Sequence, residues 1–110
     1  MSYIIVLMTA PDKDEAKKIV HILLEEKLIA CANIIDAVSS FFRWKGKIDE
    51  EKEVLVIMKS HKNLFKNIST RILELHSYDV PEILAVPIRD GSSSYLDWMK
   101  SCLEQVKLDE

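Results

Sequence analysis

Two continuously apolar segments stand out along the chain, residues 3–8 (YIIVLM) and residues 54–58 (VLVIM). Such runs are typical of strands in the middle of a sheet, with neighbouring strands on both sides. Residues 82–88 (EILAVPI) have a similar apolar character but contain Pro87. Because proline cannot donate a hydrogen bond to a neighbouring strand, this third segment is predicted to lie at a sheet edge.

The segment after the first strand has the pattern of an amphipathic helix. Asp12, with Glu15 three residues later, matches a capping box, and this predicts a helix that runs to about Lys27. The apolar stripe of this helix consists of Ala16, Ile19, Val20, Leu23 and Leu24.

Two more helices follow from the same periodicity. One is predicted to end near His76, and the other to begin after the sequence GSSS, with Ser93 or Ser94 as its cap. Their buried sides are predicted from two stripes: Leu64, Phe65, Ile68, Ile72 and Leu75 in the first, and Tyr95, Leu96, Met99, Cys102, Leu103 and Val106 in the second.

Residues 28–60 are predicted to form one β-hairpin that is too long for the domain that carries it. Its turn should fall near Gly46, the only glycine of the segment. An unbent arm from residue 30 to residue 45 would span about 50 Å, whereas a compact chain of this length is about 35 Å across. Either the arm projects and other copies of the chain cover Phe41, Phe42 and Trp44, or a bulge folds the arm back onto its own core.

The predicted order β-α-β-β-α-β, followed by one helix, is that of an α+β protein with a ferredoxin-like split βαβ fold and an antiparallel sheet. In that fold the first and third strands are central and the fourth is an edge strand, in agreement with the apolar runs and with Pro87. We expect residues 1–110 to form a single domain.

Composition narrows the range of functions. The formal net charge is −3 and basic residues alternate with acidic ones, which argues against nucleic acid as a partner. No apolar run approaches the roughly 20 residues of a membrane span, and the amino-terminal segment does not have the pattern of a signal peptide.

Cys31 and Cys102 form no CxxC pair, which favours reduced thiols in the cytoplasm, although a single disulfide remains an alternative. The motifs GxSxG, P-loop and GxGxxG are all missing from the sequence, so no enzymatic reaction is indicated.

Six segments in the same order, TAPDKDEA, LIACANII, SFFRWKGKI, EVLVIMKS, ELHSYDVPEIL and SYLDWM, together resemble the CutA divalent-cation tolerance family. The resemblance spans nearly the whole chain. It implies a cytoplasmic homotrimer of ferredoxin-like subunits, with strands that extend between subunits and a shape similar to the PII signalling proteins. It also implies an association with copper and other divalent cations, and it brings no established reaction and no organic cofactor.

Three residues are candidate metal ligands. His76 stands at a helix end, where imidazole is a good ligand for copper and where it can equally well cap the helix. In some family members the proposed ligands are a cysteine in the first strand and a pair of histidines at this helix end, and the matching positions here are Met8, Leu75 and His76. Met8 is a soft ligand for Cu(I) but is more often a packing residue. Cys31 is either a thiolate ligand, a redox thiol or an inert buried residue.

A second group of residues resembles the cleft between subunits in this family: Trp44, Glu53, Lys59, Tyr78, Glu82, Tyr95 and Trp98. Lys59, Glu53 and the tyrosines have the chemistry to bind a small anion or metabolite. The alternative is an ordinary oligomer interface in which buried polar groups are satisfied across subunits.

The sequence therefore supports three hypotheses. The first is a trimer that binds copper or another divalent cation weakly and acts in tolerance without catalysis. The second is a PII-like sensor that binds an anionic metabolite or nucleotide in its clefts. The third is a hydrolase whose site the motifs do not show.

Overall fold

The computed structural model describes residues 2–108, without the side chains of Val106 and Lys107. The predicted burial of Val106 therefore lies outside the described residues. Four strands are present, β1 (Tyr3–Ala10), β2 (Cys31–Trp44), β3 (Lys47–His61) and β4 (Ile83–Pro87), with three helices, α1 (Lys13–Glu25), α2 (Phe65–Leu75) and α3 (Ser93–Cys102). Two short 3-10 turns, Lys62–Leu64 and Gln105–Leu108, complete the secondary structure.

The four strands form one antiparallel sheet in the order β2-β3-β1-β4. The two continuously apolar segments lie in the central strands β1 and β3, and the strand with Pro87 is at the edge. The predicted ferredoxin-like α+β fold is confirmed. Each pair across the sheet places side chains on the same face, as in the row Cys31, Lys59, Ile5 and Val86.

The two faces of the sheet differ in their cover. The even-numbered residues of β1 are buried in a core with the apolar stripes of α1 and α2. The opposite face of the sheet, to which the odd-numbered residues of β1 belong, is called the open face. It is only partly covered within one chain, and several of its side chains are exposed by about half. Its apolar residues are Ile5, Leu7, Ile35, Leu55, Ile57, Leu84 and Val86.

The predicted cap of α1 forms, since the backbone N–H of Glu15 donates to Asp12 Oδ1 at 2.8 Å. The helix ends at Glu25, two residues before the predicted end, and Lys27 adopts a positive φ of 59°. The carboxylate of Glu15 accepts hydrogen bonds from Ser77, a residue distant in sequence that a local capping motif does not reveal.

The hairpin projects and bends. Its turn consists of Lys45 and Gly46, both with positive φ, as predicted from the single glycine. A bulge follows Ile35, where the register with β3 shifts and Ala37 has a φ of 61°. The bulge does not bury the tip, because Phe41 is 67% and Trp44 56% exposed. The molecule is accordingly elongated, with extents of 45 × 26 × 22 Å.

Helix α3 differs from the prediction at its start. Its cap is Ser92, one residue before the predicted serines, and the hydroxyl of Ser92 accepts from the backbone N–H of Tyr95 at 3.3 Å. Three consecutive serines offer the same cap chemistry, so the sequence alone does not choose among them. Met99 and Leu103 are buried as predicted, whereas Tyr95 is 43% exposed and was wrongly assigned to the buried side.

Candidate functional site

His76 is the C-cap residue of α2, and its side chain is fully buried at the end of β1. Its Nε2 atom donates to the carbonyl oxygen of Thr9 at 2.8 Å, and its Nδ1 atom accepts from the backbone N–H of Tyr78 at 3.1 Å. These two bonds fit the neutral imidazole with its proton on Nε2. His76 therefore ties the end of α2 to the end of β1 in this structure.

Glu15 extends this polar cluster to α1. Its Oε2 atom lies 3.3 Å from Nδ1 of His76 and accepts from both the backbone N–H and the hydroxyl of Ser77, at 2.9 and 3.0 Å. Neither Glu15 nor Thr9 was among the predicted site residues. Their contacts with the segment after α2 join residues more than 60 positions apart, and no local sequence pattern reports such pairs.

Tyr78 connects the same cluster to β3. Its hydroxyl donates to Glu53 Oε2 at 2.9 Å, and Glu53 is buried. Burial, together with the hydrogen bond to this carboxylate, raises the pKa of Tyr78 to about 12. The two predicted residues Tyr78 and Glu53 are thus in direct contact, and the tyrosine is held as a neutral donor.

Glu53 also lines a cleft of about 430 Å³ at the base of the hairpin, beside the start of α1. Acidic residues predominate in its walls, where Asp14 and Asp36 accompany Asp12, the cap of α1. The remaining walls consist of Pro11, Lys13, Ala37, Lys52 and Val54. Lys52 donates to the hydroxyl of Ser39 at 3.1 Å.

The three candidate metal ligands are not brought together within one chain. Met8 is fully buried on the helix-facing side of β1. Cys31 is on the open face, because it pairs with Lys59, which pairs in turn with Ile5. Within residues 2–108 no three side chains of His, Cys, Asp or Glu are grouped so that they could hold a metal ion.

A second polar cluster lies on the open face at the other end of β3. Lys59 Nζ donates to the side-chain oxygen of Asn33 and lies 3.8 Å from Cys31 Sγ. Burial and the neighbouring thiol of Cys31 raise the pKa of Tyr95 on α3. The ring of Trp98 packs against that of Tyr95 in a tilted arrangement, with ring centroids 5.3 Å apart. Asn33, which the sequence did not single out, is thereby part of this cluster.

The seven predicted cleft residues therefore fall into separate groups within one chain. Glu53 and Tyr78 are at the His76 end of the sheet, and Lys59, Tyr95 and Trp98 are at the Cys31 end. Trp44 is at the hairpin tip, and Glu82 is an exposed residue just before β4.

Comparison with known proteins gives the family. The family model of the CutA1 divalent ion tolerance protein matches residues 4–102, which include both polar clusters and the whole hairpin. The chain belongs to the CutA1 family. The name of the family and the names of several relatives, such as those from Thermus thermophilus and Pyrococcus horikoshii, describe divalent-ion tolerance and state no reaction.

Relatives support the assignment in sequence and in structure. The "Divalent-cation tolerance protein CutA" of Thermus thermophilus is 41% identical over 96 residues, which cover 87% of this chain and 93% of the relative. The CutA1 structure from the same organism has a TM-score of 0.91 at 38% identity and covers 93% of this chain and 99% of its own.

Other relatives differ in length or in described location. "Protein CutA, chloroplastic" of Arabidopsis thaliana is 38% identical over 98 residues, 89% of this chain, but the match spans only 54% of that longer protein. A structure from Archaeoglobus fulgidus, described as a periplasmic divalent cation tolerance protein, has a TM-score of 0.90 at 38% identity and covers 93% of this chain and 99% of its own.

Proposed function

We propose that this protein is a homotrimeric divalent-cation tolerance protein that binds copper or another divalent cation weakly and catalyses no reaction. The family supports the role in tolerance, since its name and the names of several relatives refer to divalent ions. No organic cofactor is part of the proposal.

The observation that carries the proposed assembly is the apolar open face of the sheet. Ile35, Leu84 and Val86 are each exposed by 44–55% on this face. An apolar surface of this kind, next to a projecting hairpin with exposed aromatic rings, is typical of subunit interfaces. Covering it with further copies of the chain removes apolar area from water and stabilises the assembly by roughly 25 cal/mol for each Å² buried.

The arrangement of candidate ligands supports weak rather than tight metal binding. Both ring nitrogens of His76 already have hydrogen-bond partners, so a metal ion has to displace one of them. Met8 offers a soft thioether that suits Cu(I) better than Cu(II). Cys31 is on the opposite face of the sheet from Met8.

Calorimetric titration of the purified protein with Cu(I), Cu(II) and Zn(II) tests the metal role. We expect His76→Ala to remove most Cu(II) binding, because imidazole is the one strong nitrogen ligand of the candidate set. Met8→Leu nearly conserves side-chain volume and should affect only Cu(I).

Equal Cu(II) affinity of the wild type and the His76→Ala variant would contradict the role of His76 and leave its imidazole as a structural cap. Binding that persists in His76→Ala and disappears in Cys31→Ser would move the site to the start of β2. Light scattering on the same samples reports the mass, and a monomer at micromolar concentration would exclude the trimer.

A second candidate function is a PII-like sensor that binds a small anionic metabolite or nucleotide between subunits. The ammonium group of Lys59 favours it, because its partners Asn33 and Cys31 are neutral hydrogen-bonding side chains. Titration with a nucleotide panel separates this function from the first. Binding that depends on Lys59 and is independent of metal would favour the sensor.

We also propose a cytoplasmic location, with metal ions and further copies of the chain as partners and with neither nucleic acid nor membrane among them. No helix within residues 2–108 is long and apolar enough to cross a bilayer. Cys31 and Cys102 are free thiols in the structure. Cell fractionation is the direct test, since the Archaeoglobus fulgidus relative is described as periplasmic.

A further inference from the structure

Cys31 of β2 and Lys59 of β3 are direct neighbours across the sheet. The register of the two strands pairs them, and paired residues on one face have Cβ atoms about 5 Å apart. The sulfur of Cys31 lies 3.8 Å from Nζ of Lys59. Two hydrogen bonds fix the chain at this point: the N–H of Ala30 donates to the carbonyl oxygen of Lys59 at 2.8 Å, and the hydroxyl of Ser60 donates to that of Leu28 at 2.6 Å. The sheet therefore holds a thiol and an amine side by side.

The amine is also held in place by a neighbour on β2. Nζ of Lys59 donates to the side-chain oxygen of Asn33, which lies two residues after Cys31 on the same face. The ion pairs within residues 2–108 do not involve Lys59, so none of these carboxylates competes for its ammonium group. Lys59 thus has its nitrogen between a sulfur atom and a neutral amide oxygen.

The pair is open to solvent within one chain. Cys31 and Lys59 are both half-buried, and Asn33 beside them is exposed. Tyr95 of α3 borders the thiol, and burial together with this thiol raises the pKa of Tyr95, which keeps its phenol neutral. A small neutral oxidant such as hydrogen peroxide therefore has access to the sulfur from the side of Asn33.

Oxidation of a thiol at this distance from an amine has a defined product. One molecule of hydrogen peroxide converts the thiol of Cys31 to a sulfenic acid and leaves as water. The sulfenic oxygen then forms a bond to Nζ of Lys59. This step releases three protons and two electrons, and a second peroxide molecule takes up the electrons and two of the protons to give two molecules of water. The third proton goes to solvent. One oxygen atom then bridges sulfur and nitrogen, so the gap of 3.8 Å closes less far than a direct bond between them would require.

We propose that Cys31 and Lys59 of one chain form a covalent S–O–N bridge in hydrogen peroxide, and that a thiol reductant opens it again. In the reverse step four thiol groups of the reductant become two disulfides, and the bridging oxygen leaves as water. The bridge removes the free thiol and the positive charge of the pair together, and reduction restores both. It requires neither a second copy of the chain nor a metal ion, and so goes beyond the proposed function.

Peptide mapping tests the bridge. The full chain is treated with a metal chelator and then with hydrogen peroxide at mildly alkaline pH, digested with trypsin without reductant and analysed by mass spectrometry. Trypsin does not cleave at a modified lysine, so we expect residues 28–43 joined to residues 53–62. The joined mass should be the sum of the two peptides plus one oxygen and minus two hydrogen atoms. A thiol reductant before digestion should restore residues 28–43 and 53–59 as separate peptides.

Variants identify the two partners. Lys59→Arg keeps the positive charge but replaces the amine by a weakly nucleophilic guanidinium group, and it should abolish the joined peptide while Cys31 is still oxidised. Cys31→Ser should abolish it as well. Cys102→Ser removes the second free thiol of the described chain and should leave the bridge unchanged. Lys52 is an internal control, because it pairs with Ser39 across the same two strands and should stay unmodified.

Four results would overturn the bridge. The first is a Cys31 peptide that gains two or three oxygen atoms and is joined to no other peptide. The second is a disulfide between Cys31 and Cys102, in which residues 28–43 are joined to residues 101–107. The third is a joined mass without the added oxygen, which would mean a direct bond between sulfur and nitrogen. The fourth is a joined peptide that persists in Lys59→Arg. None of these results bears on the trimer or on metal binding, which light scattering and calorimetry measure separately.

Discussion

At the residue scale, the segment from His76 to Tyr78 links the end of α2 to three other elements through hydrogen bonds that involve side chains. His76 bonds the end of β1, Ser77 bonds Glu15 of α1, and Tyr78 bonds Glu53 of β3. Within residues 2–108 no buried side-chain nitrogen or oxygen is left without a partner. A fully satisfied polar cluster of this kind favours a single arrangement of the elements around it.

The raised pKa of Tyr78 predicts a loss of stability in alkali. Tyr78 titrates near 12 in the folded protein and near 10 in the unfolded chain. Between these values the unfolded state loses its proton first, so the free energy of unfolding falls as the pH rises from about 10 to about 12. Below pH 10 the contribution is fully present.

The variant Tyr78→Phe isolates this effect. At pH 8 it should be less stable than the wild type by about 1–2 kcal/mol, because Glu53 loses its donor. The difference should shrink as the pH approaches 12, where the wild-type tyrosine ionises. Urea denaturation at a series of pH values measures it, and a difference that stays constant up to pH 12 would contradict the assignment.

At the element scale, the bulge in β2 is the irregularity that gives the hairpin its bend. Ala37, the residue with positive φ at this bulge, is exposed and lies on the wall of the cleft. An alanine in the left-handed region costs roughly 1–2 kcal/mol. The structure therefore carries a local backbone strain next to the buried carboxylate of Glu53.

Ala37→Gly should stabilise the protein. Glycine removes the cost of the left-handed conformation, and the gain is reduced by about 0.4–1 kcal/mol because glycine is more flexible in the unfolded chain. We expect a net increase of roughly 0.5 kcal/mol in the free energy of unfolding, measured by urea denaturation. Ala32→Gly, in a regular part of the same strand, is the matched control and should destabilise. If both variants lose stability equally, Ala37 is unstrained.

Elements were more predictable from the sequence than contacts were. The apolar runs place β1 and β3 in the middle of the sheet, because a central strand has neighbours on both sides. The proline places β4 at an edge, because proline lacks the N–H that a neighbouring strand would need. A bulge in the arm was one of the two predicted alternatives, but its position at Ala37 was not predicted, because no glycine marks the positive φ there. The contacts of Glu53 with Tyr78 and of Lys59 with Asn33 join residues 25 and 26 positions apart, and only the folded chain brings them together.

At the scale of the whole molecule, the open face is the feature that favours assembly of several copies of the chain. This face carries apolar side chains that are partly exposed to solvent, whereas an ordinary solvent-exposed face of a sheet is mainly polar. A helix layer covers the other face, and no comparable layer within residues 2–108 covers this one. The proposed trimer follows from this imbalance rather than from any single residue.

Ile57→Asp tests the open face directly. Ile57 lies between Leu7 and Asn33 in the middle of this face and is half-buried in one chain. A carboxylate there should abolish the trimer, because a buried unpaired charge costs several kcal/mol, while the subunit keeps its fold.

Leu73→Asp on exposed α2, where Leu73 is 53% exposed, is the control and should leave the mass unchanged. Light scattering and circular dichroism give the two readouts. A trimer of Ile57→Asp with the dissociation behaviour of the wild type would place the interface elsewhere.

The projecting arm also has a consequence for how this family can vary in length. Beyond the bulge, the arm consists of the pairs from Val38 with Glu53 to Trp44 with Lys47, closed by a turn of two residues. Because side chains alternate with a period of two, the loss of one pair moves every residue nearer the tip to the opposite face, whereas the loss of two pairs preserves the faces. The arm can therefore be shortened or lengthened only in steps of two pairs, about 7 Å each, if Trp44 is to keep its side.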